Sequence, residues 1–378
     1  MIVYKRAILP LGFSANAVAS GIKKSGKLDL ALFYSQTPAK ASCKFTSNKL
    51  PAAPVKLNKE YLRKNKYFQA LLVNSGNANA FTGKMGLVYA RKSAQVLGLA
   101  LKIKENSVLV NSTGIIGKPL PFLKIKQAVP DLVKGLSRQG INKAKKAILT
   151  TDTFSKEATV RFKIGKSTVT ICAVAKGAGM IAPDMATMLS FILTDANISQ
   201  KALDLSLNDA VTNSFNCITV DGCMSTNDTV ILLANAQAAN PLIKKGANLN
   251  LFSKALNIAC LELAKMIIRD AEGATKFIKI TVEDARDSKE ARKIALSIAN
   301  SSLFKTAMFG ENPNFGRIVS SVGASGTEVK EEDLKVSLSP LNKKEIDVTV
   351  SVGRGKARQV IYTSDLTPEY IKINAAYN

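Results

Sequence analysis

The chain reads as an α/β protein of the α+β type, with mixed sheets carrying packed helices. Three observations point there: strand-like alternation recurs, helical periods lie between the alternating runs, and 46% of the residues are hydrophobic, enough for a packed core. A length of 378 residues suggests about two domains, each large enough to bury a core without disulfide staples.

The elements follow in chain order. The opening MIVYKRAILPLGF is too short in its apolar run, and is broken by Pro10, to serve as a signal segment. No stretch of about 18 apolar residues occurs, so the expectation is a soluble protein with no membrane partner. Ser167 to Val174 alternates as a half-buried strand does. Over 199–216, Leu203, Leu207, Ala210, Val211 and Ser214 fall on one helical face behind a Ser199 cap. Over 250–270, Phe252, Leu256, Ala259, Leu263, Met266 and Ile267 repeat that spacing before Gly273. Ile278, Ile280 and Val282 give a strand, and Ala291, Ile294, Ala295 and Ile298 a further helix. Ile346, Val348 and Val350 turn at Gly353-Arg354-Gly355 into Val360 and Tyr362, which predicts a hairpin.

Composition excludes several chemistries. With no histidine there is no Ser-His-Asp or Cys-His machinery and no histidine-ligated zinc, so acid/base work falls to carboxylates, lysines, tyrosines or a free α-amine. The five cysteines, Cys43, Cys172, Cys217, Cys223 and Cys260, include no CxxC pair; neither a disulfide framework nor a metal site is implied, and a reducing cytoplasm fits. The formal charge of +25 raises the possibility of an anionic partner. The lysines are scattered, however, and clusters such as Lys143, Lys145 and Lys146 lack interleaved aromatics, so nucleic acid is not the expected partner.

Four sparsely charged, small-residue segments stand out against this basic background: 73–83 (VNSGNANAFTG), 110–117 (VNSTGIIG), 176–190 (KGAGMIAPDMATMLS) and 216–229 (NCITVDGCMSTNDT). Such clusters suit either tight buried turns or backbone whose N–H groups face a ligand. In the third, Thr187 opens an apolar run. A β-branched residue at the head of a buried strand needs no function. Without histidine, though, a threonine hydroxyl becomes a nucleophile most simply as the first residue of a chain, where its own α-amine, of pKa about 7.7–8.0, accepts the proton. That terminus requires cleavage of the Ala186–Thr187 bond, which the Thr187 hydroxyl can perform by an N-to-O acyl shift.

The run KGAGMIAPDMATMLSFILTDA resembles the self-cleavage segment of the glutamate N-acetyltransferase, or ornithine acetyltransferase, family of arginine biosynthesis. The resemblance covers nearly the whole chain. GFSANAVASGIKKSGKLDLAL, NSGNANAFTG, VNSTGIIG, AILTTDTFSKEA, FNCITVDGCMSTNDT, RDAEGATK, NPNFGRI, VGRGKA and YIKINAAYN all stand in the family's order. It implies a precursor cut between Ala186 and Thr187 into an α chain (1–186) and a β chain (187–378) that stay together as a heterotetramer of two α and two β chains. Thr187 is then the nucleophile, Thr113 and Gly114 the oxyanion hole, and Thr150, Lys176, Thr187, Glu272 and Asn374 the substrate-binding residues. The implied reaction is ping-pong: N-acetylornithine gives its acetyl group to Thr187 and leaves as ornithine, and glutamate leaves as N-acetylglutamate. No cofactor is implied. Some members also use acetyl-CoA as a co-substrate, a point the sequence leaves open; a plain hairpin turn is the favoured reading of Gly353–Lys356 over a contact to a CoA phosphate.

The chain departs from the family pattern in places. Ala182 and Asp184 stand where histidine and asparagine are common, Cys223 where a second acidic residue is usual, and Asn378 ends the chain one residue short of the usual terminal hydroxyl residue. Two other readings stay open on the residues alone: an N-terminal-nucleophile amidase or aminopeptidase using the same threonine with water as acceptor, and a basic nucleic-acid-binding protein marked by salt-sensitive retention.

Overall fold

A computed structural model describes residues 1–182 and 188–376. Among them, nine strands form one large sheet: β1 (Ile2–Tyr4), β2 (Phe13–Val18), β3 (Leu30–Phe45), β4 (Tyr67–Asn77), β5 (Val108–Ile115), β6 (Lys156–Ile164), β7 (Ser167–Lys176), β8 (Leu189–Thr194) and β9 (Thr229–Ala234). Their order is β1-β6-β7-β8-β9-β3-β4-β5, with β2 pairing β3 beside that path. The sheet is mixed, with β8–β9 and β4–β5 parallel and the other pairs antiparallel. A second sheet of four described strands, β10 (Phe277–Ala285), β11 (Lys335–Leu338), β12 (Glu345–Ser351) and β13 (Ala357–Ser364), has the order β11-β12-β10-β13. The mixed α/β reading therefore holds.

Both faces of the large sheet are covered, so its central strands are apolar almost throughout. On β7, Val169, Ile171, Ala173 and Ala175 pack with the helices Gln200–Thr212 and Ala247–Arg269. Cys172 and Val174 face a second core shared with the helices Ala53–Lys64 and Gly83–Leu101. The half-buried reading of this strand is thus corrected. Its alternating Thr170 is itself buried, its N–H donating to Asp195 Oδ1 at 2.8 Å.

The helical periods are found near their expected places. Ser199 caps Gln200–Thr212 by accepting from the Ala202 N–H at 3.3 Å. That helix stops short of residue 216: Ser214 turns its hydroxyl back onto Ala210 O at 2.5 Å, and a 3₁₀ turn, Phe215–Cys217, follows. The other two helices are Ala247–Arg269 and Ser288–Ala299. The C-terminal hairpin is overturned. β12 and β13 do not pair; β10 lies between them, parallel to β12 (Ile280↔Val348) and antiparallel to β13 (Ile280↔Ile361). The Gly353–Gly355 segment passes over the end of β10, where Arg354 N–H and Gly355 N–H both donate to Asp284 O at 2.6 and 2.8 Å. Two strands joined by a turn have the same periodicity whether neighbours or next-nearest neighbours, and the apolar β10 takes the more buried place.

Strands β8 and β9 follow residue 187 in sequence but sit mid-sheet, each with six residues paired to a strand from before it: β8 to β7 and β9 to β3. A break at 186/187 would leave both pieces hydrogen-bonded in one sheet. No helix among the described residues is long and apolar enough to cross a membrane.

At the C-terminal ends of β4 and β5 the ladder becomes irregular: Asn77 pairs with both Thr113 and Ile115. Gly114 has φ +130°, and a Cβ there would lie 2.4 Å from the Gly76 carbonyl carbon. Gly114→Ala therefore forces the strands apart. The expected loss is about 1–3 kcal/mol, read from the denaturant midpoint; an unchanged midpoint would show that this seam yields freely.

Candidate active site

The irregular β4–β5 end forms one wall of a cavity with about 560 Å³ of empty space, its open mouth included. Thr113 and Gly114 line it from β5, Thr150 from the loop before β6, and Lys176 from the last position of β7. Glu272, just after the helix Ala247–Arg269, and Asn374, on the C-terminal helix Pro368–Ala376, line it from the far side. The fold thus brings six residues singled out in the sequence into one pocket. Leu189 is paired with Lys176 across the β7–β8 ladder. Ala186 and Thr187 lie outside the described residues, as do Asp184 and Asn378.

Lys176 is held by a buried cluster of charges. Its Nζ lies 4.0 Å from Asp152 Oδ2, and Asp152 also accepts from Lys156 Nζ at 2.5 Å and from the Gly177 and Thr150 N–H groups at 2.6 and 2.9 Å. Lys156 continues to Asp270, which accepts from the Thr153 N–H at 3.0 Å. All four side chains are nearly or wholly excluded from water. Burial pushes the Asp152 carboxyl up, but Lys176, Lys156 and the Thr150 N–H outweigh it and hold the group well below the ordinary carboxylate range. Burial lowers the pKa of Lys176, with Asp152 acting against that shift. Two carboxylates thus offset two ammoniums in a dry site, where a lone charge would be costly.

The opposite wall depends on close backbone approach. A Cβ on Gly179 would fall 2.3 Å from Glu272 Oε2. Glu272 N–H donates to Ala178 O at 3.0 Å, and the Glu272 carboxylate accepts from Asn374 Nδ2 at 2.9 Å. The C-terminal helix is tied down by Tyr370, whose hydroxyl donates to Asp221 Oδ2 at 3.1 Å; the same oxygen accepts from the Met180 N–H at 2.6 Å.

Sequence reasoning passed over Asp152, Asp270, Asn227 and Asp228. Asn227 lines the pocket and donates to Ala78 O and Ser112 O at 2.7 and 2.8 Å, stitching the 216–229 segment to the ends of β4 and β5. Asp228 accepts from the Met188 N–H at 3.1 Å. For Asp152 and Asp228 the available signal was the lone acidic residue inside the otherwise uncharged runs TTDT and STND.

A buried ammonium and a carboxylate facing one small cavity at the strand ends define a mixed α/β enzyme acting on a small polar molecule. The chain belongs to the ArgJ family, whose sequence model matches residues 14–343. It is similar to the arginine biosynthesis bifunctional protein ArgJ of Geobacter sulfurreducens, at 43% identity over 97% of this chain and 98% of that protein. The protein of the same name from Caldanaerobacter subterraneus subsp. tengcongensis is 42% identical over 98% of this chain and 97% of its own. Among solved structures, Bacillus halodurans ArgJ matches at 36% identity with a TM-score of 0.46, over 50% of this chain and 98% of that one. Mycobacterium tuberculosis ornithine acetyltransferase complexed with ornithine matches at 35% identity and a TM-score of 0.45, over 48% of this chain and 97% of that one.

Lys156→Met leaves Asp152 and Asp270 without their shared cation, so unfolding stability should fall by about 3–5 kcal/mol in urea denaturation. An unchanged midpoint would show that the cluster is dispensable to the fold. Because the Asp152 pKa is depressed on folding, the stabilisation is complete above its unfolded pKa of about 3.9 and is lost as the pH falls below it. The wild-type pH–stability curve should decline there more steeply than that of Asp152→Asn.

Proposed function

We propose that the chain is the acetyl-recycling transferase of arginine biosynthesis, cutting itself between Ala186 and Thr187 and carrying acetyl from N-acetylornithine to glutamate on Thr187. One observation carries the assignment: Thr113, Gly114, Thr150, Lys176, Glu272 and Asn374, dispersed over 262 positions of an ArgJ-family chain, line a single cavity.

In the first half reaction the α-amine of Thr187 takes the proton from its own hydroxyl as Oγ attacks the acetyl carbonyl of N-acetylornithine. The Thr113 hydroxyl and the Gly114 N–H take the oxyanion, such donors being worth about 3–4 kcal/mol each. The C–N bond breaks, ornithine departs with the proton on its α-nitrogen, and an acetyl ester remains on Thr187. The α-amine of glutamate then attacks that ester, the C–O bond breaks, and the threonine hydroxyl is regenerated. One amide is broken and one formed, so no energy source is needed. Lys176 offsets the substrate α-carboxylate, and Glu272, oriented by Asn374, meets the side-chain ammonium that remains once the α-nitrogen is acetylated. Thr150 joins the amino-acid contacts.

The α chain (1–186) and β chain (187–378) stay associated, supported by the β7–β8 and β3–β9 ladders. We take the assembly to be two of each, in the cytoplasm, where the five free cysteines stay reduced. The acetyl-threonine does not record its donor, so acetyl-CoA is the second donor to assay; relatives named bifunctional motivate that assay.

Denatured mass tests the cleavage. Wild type should resolve into pieces 1–186 and 187–378 while Thr187→Ala stays whole; an intact folded wild type would overturn the mechanism. Glu272→Gln should raise KM for N-acetylornithine about ten-fold or more with a smaller change in kcat. Free acetate released without an amino acceptor would make water the acceptor and the protein a hydrolase.

A further inference from the structure

Asp228 lies outside every role assigned above. It is 1% exposed and stands between Asn227, which lines the pocket, and Thr229, the first residue of β9. Oδ1 accepts from the Met188 N–H at 3.1 Å, while Oδ2, equally buried, has no hydrogen-bond partner among the described residues. Thr229 N–H donates to Met188 O at 3.1 Å, so Met188 is gripped at both its amide and its carbonyl. The parallel β8–β9 ladder begins only at Leu189↔Thr229. The Met188 amide lies one residue beyond it, and a side chain supplies the acceptor that the ladder does not.

The Met188 nitrogen is also the atom bonded to the Thr187 carbonyl carbon. Fixing that planar peptide from its N–H side fixes the chain leaving the nucleophile. Strand formation alone does not call for a buried carboxyl at this place. Burial drives the group well above the ordinary carboxylate range, against the Met188 N–H, the Lys176 charge and the nearby Thr46 hydroxyl and Ser225 N–H.

We infer that Asp228 is a positioning residue for Thr187, in self-cleavage and in acetyl transfer alike, acting through Oδ1 on the Met188 amide. The inference rests on the acetyl-threonine reading. It predicts losses of chemistry with substrate affinity retained, because misplacement of a reacting group by about 1 Å can cost about 100-fold in rate. Asn offers the same amide acceptor and is the rescuing variant.

The experiment compares full-length wild type, Asp228→Ala and Asp228→Asn, each checked for folding by thermal unfolding. Cleavage is followed by denatured mass, and kcat and KM for N-acetylornithine are normalised to cleaved enzyme. Asp228→Ala should cleave and turn over about 10- to 100-fold more slowly with KM within about two-fold, and Asp228→Asn should recover most of both rates. Wild-type rates in a folded Asp228→Ala overturn the inference, as does an Asp228→Asn that folds but is as slow as the alanine variant. If Asp228→Ala does not fold, the asparagine variant is judged against wild type: near-wild-type cleavage and turnover support the inference, and a folded Asp228→Asn about 10-fold or more slower overturns it. Failure of wild type itself to cleave or transfer acetyl overturns the underlying reading instead, so the two failures are distinct.

Discussion

The chain of buried charges from Lys176 through Asp152 and Lys156 to Asp270 is the constraint on which the site depends. It joins the loop before β6, the end of β7 and the end of the long helix Ala247–Arg269, elements distant in sequence. A carboxylate and an ammonium are each costly to bury alone, and two of each in alternation offset that cost while leaving Lys176 at the pocket wall. The cluster also sets where Glu272 emerges, because Asp270 ends the helix two residues earlier. The positive and negative poles of the pocket are therefore fixed relative to each other by a neutral core.

Close backbone contact supplies the rest. Gly114 permits the ends of β4 and β5 to approach, and Gly179 makes room for the Glu272 carboxylate. Side chains at either place would occupy the volume in which a carboxylate or a strand now sits. The same tightness explains why the small-residue segments gather here. Asn227 satisfies two strand-end carbonyls, at Ala78 and Ser112, that water would otherwise have to reach.

Much of this was legible in the sequence. Apolar spacing located the helices Gln200–Thr212, Ala247–Arg269 and Ser288–Ala299, and missing charge marked the segments that converge on the pocket. Strand neighbourhood was not legible: the period of β12 and β13 is the same with or without β10 between them. Burial on both faces was hidden in β7 because threonine serves equally at a wet surface and in a hydrogen-bonded interior. Asp152, Asp270 and Asp228 escaped notice because an acidic residue reads as solvated until its buried partners are known, and those partners lie 2 to 117 residues away. The roles of Thr113, Gly114, Lys176 and Glu272 came from resemblance to a family, since each taken singly reads as a turn or a surface charge.

The central claim is that a threonine at the head of the second chain segment carries the acetyl group between two amino acids. The most direct measurement is the mass of the 187–378 piece after the enzyme is mixed with N-acetylornithine and quenched in acid, with and without glutamate. One added acetyl group on Thr187 is expected in the absence of glutamate, and its loss, with formation of N-acetylglutamate, when glutamate is present. An unmodified piece under conditions where ornithine is being released would contradict it.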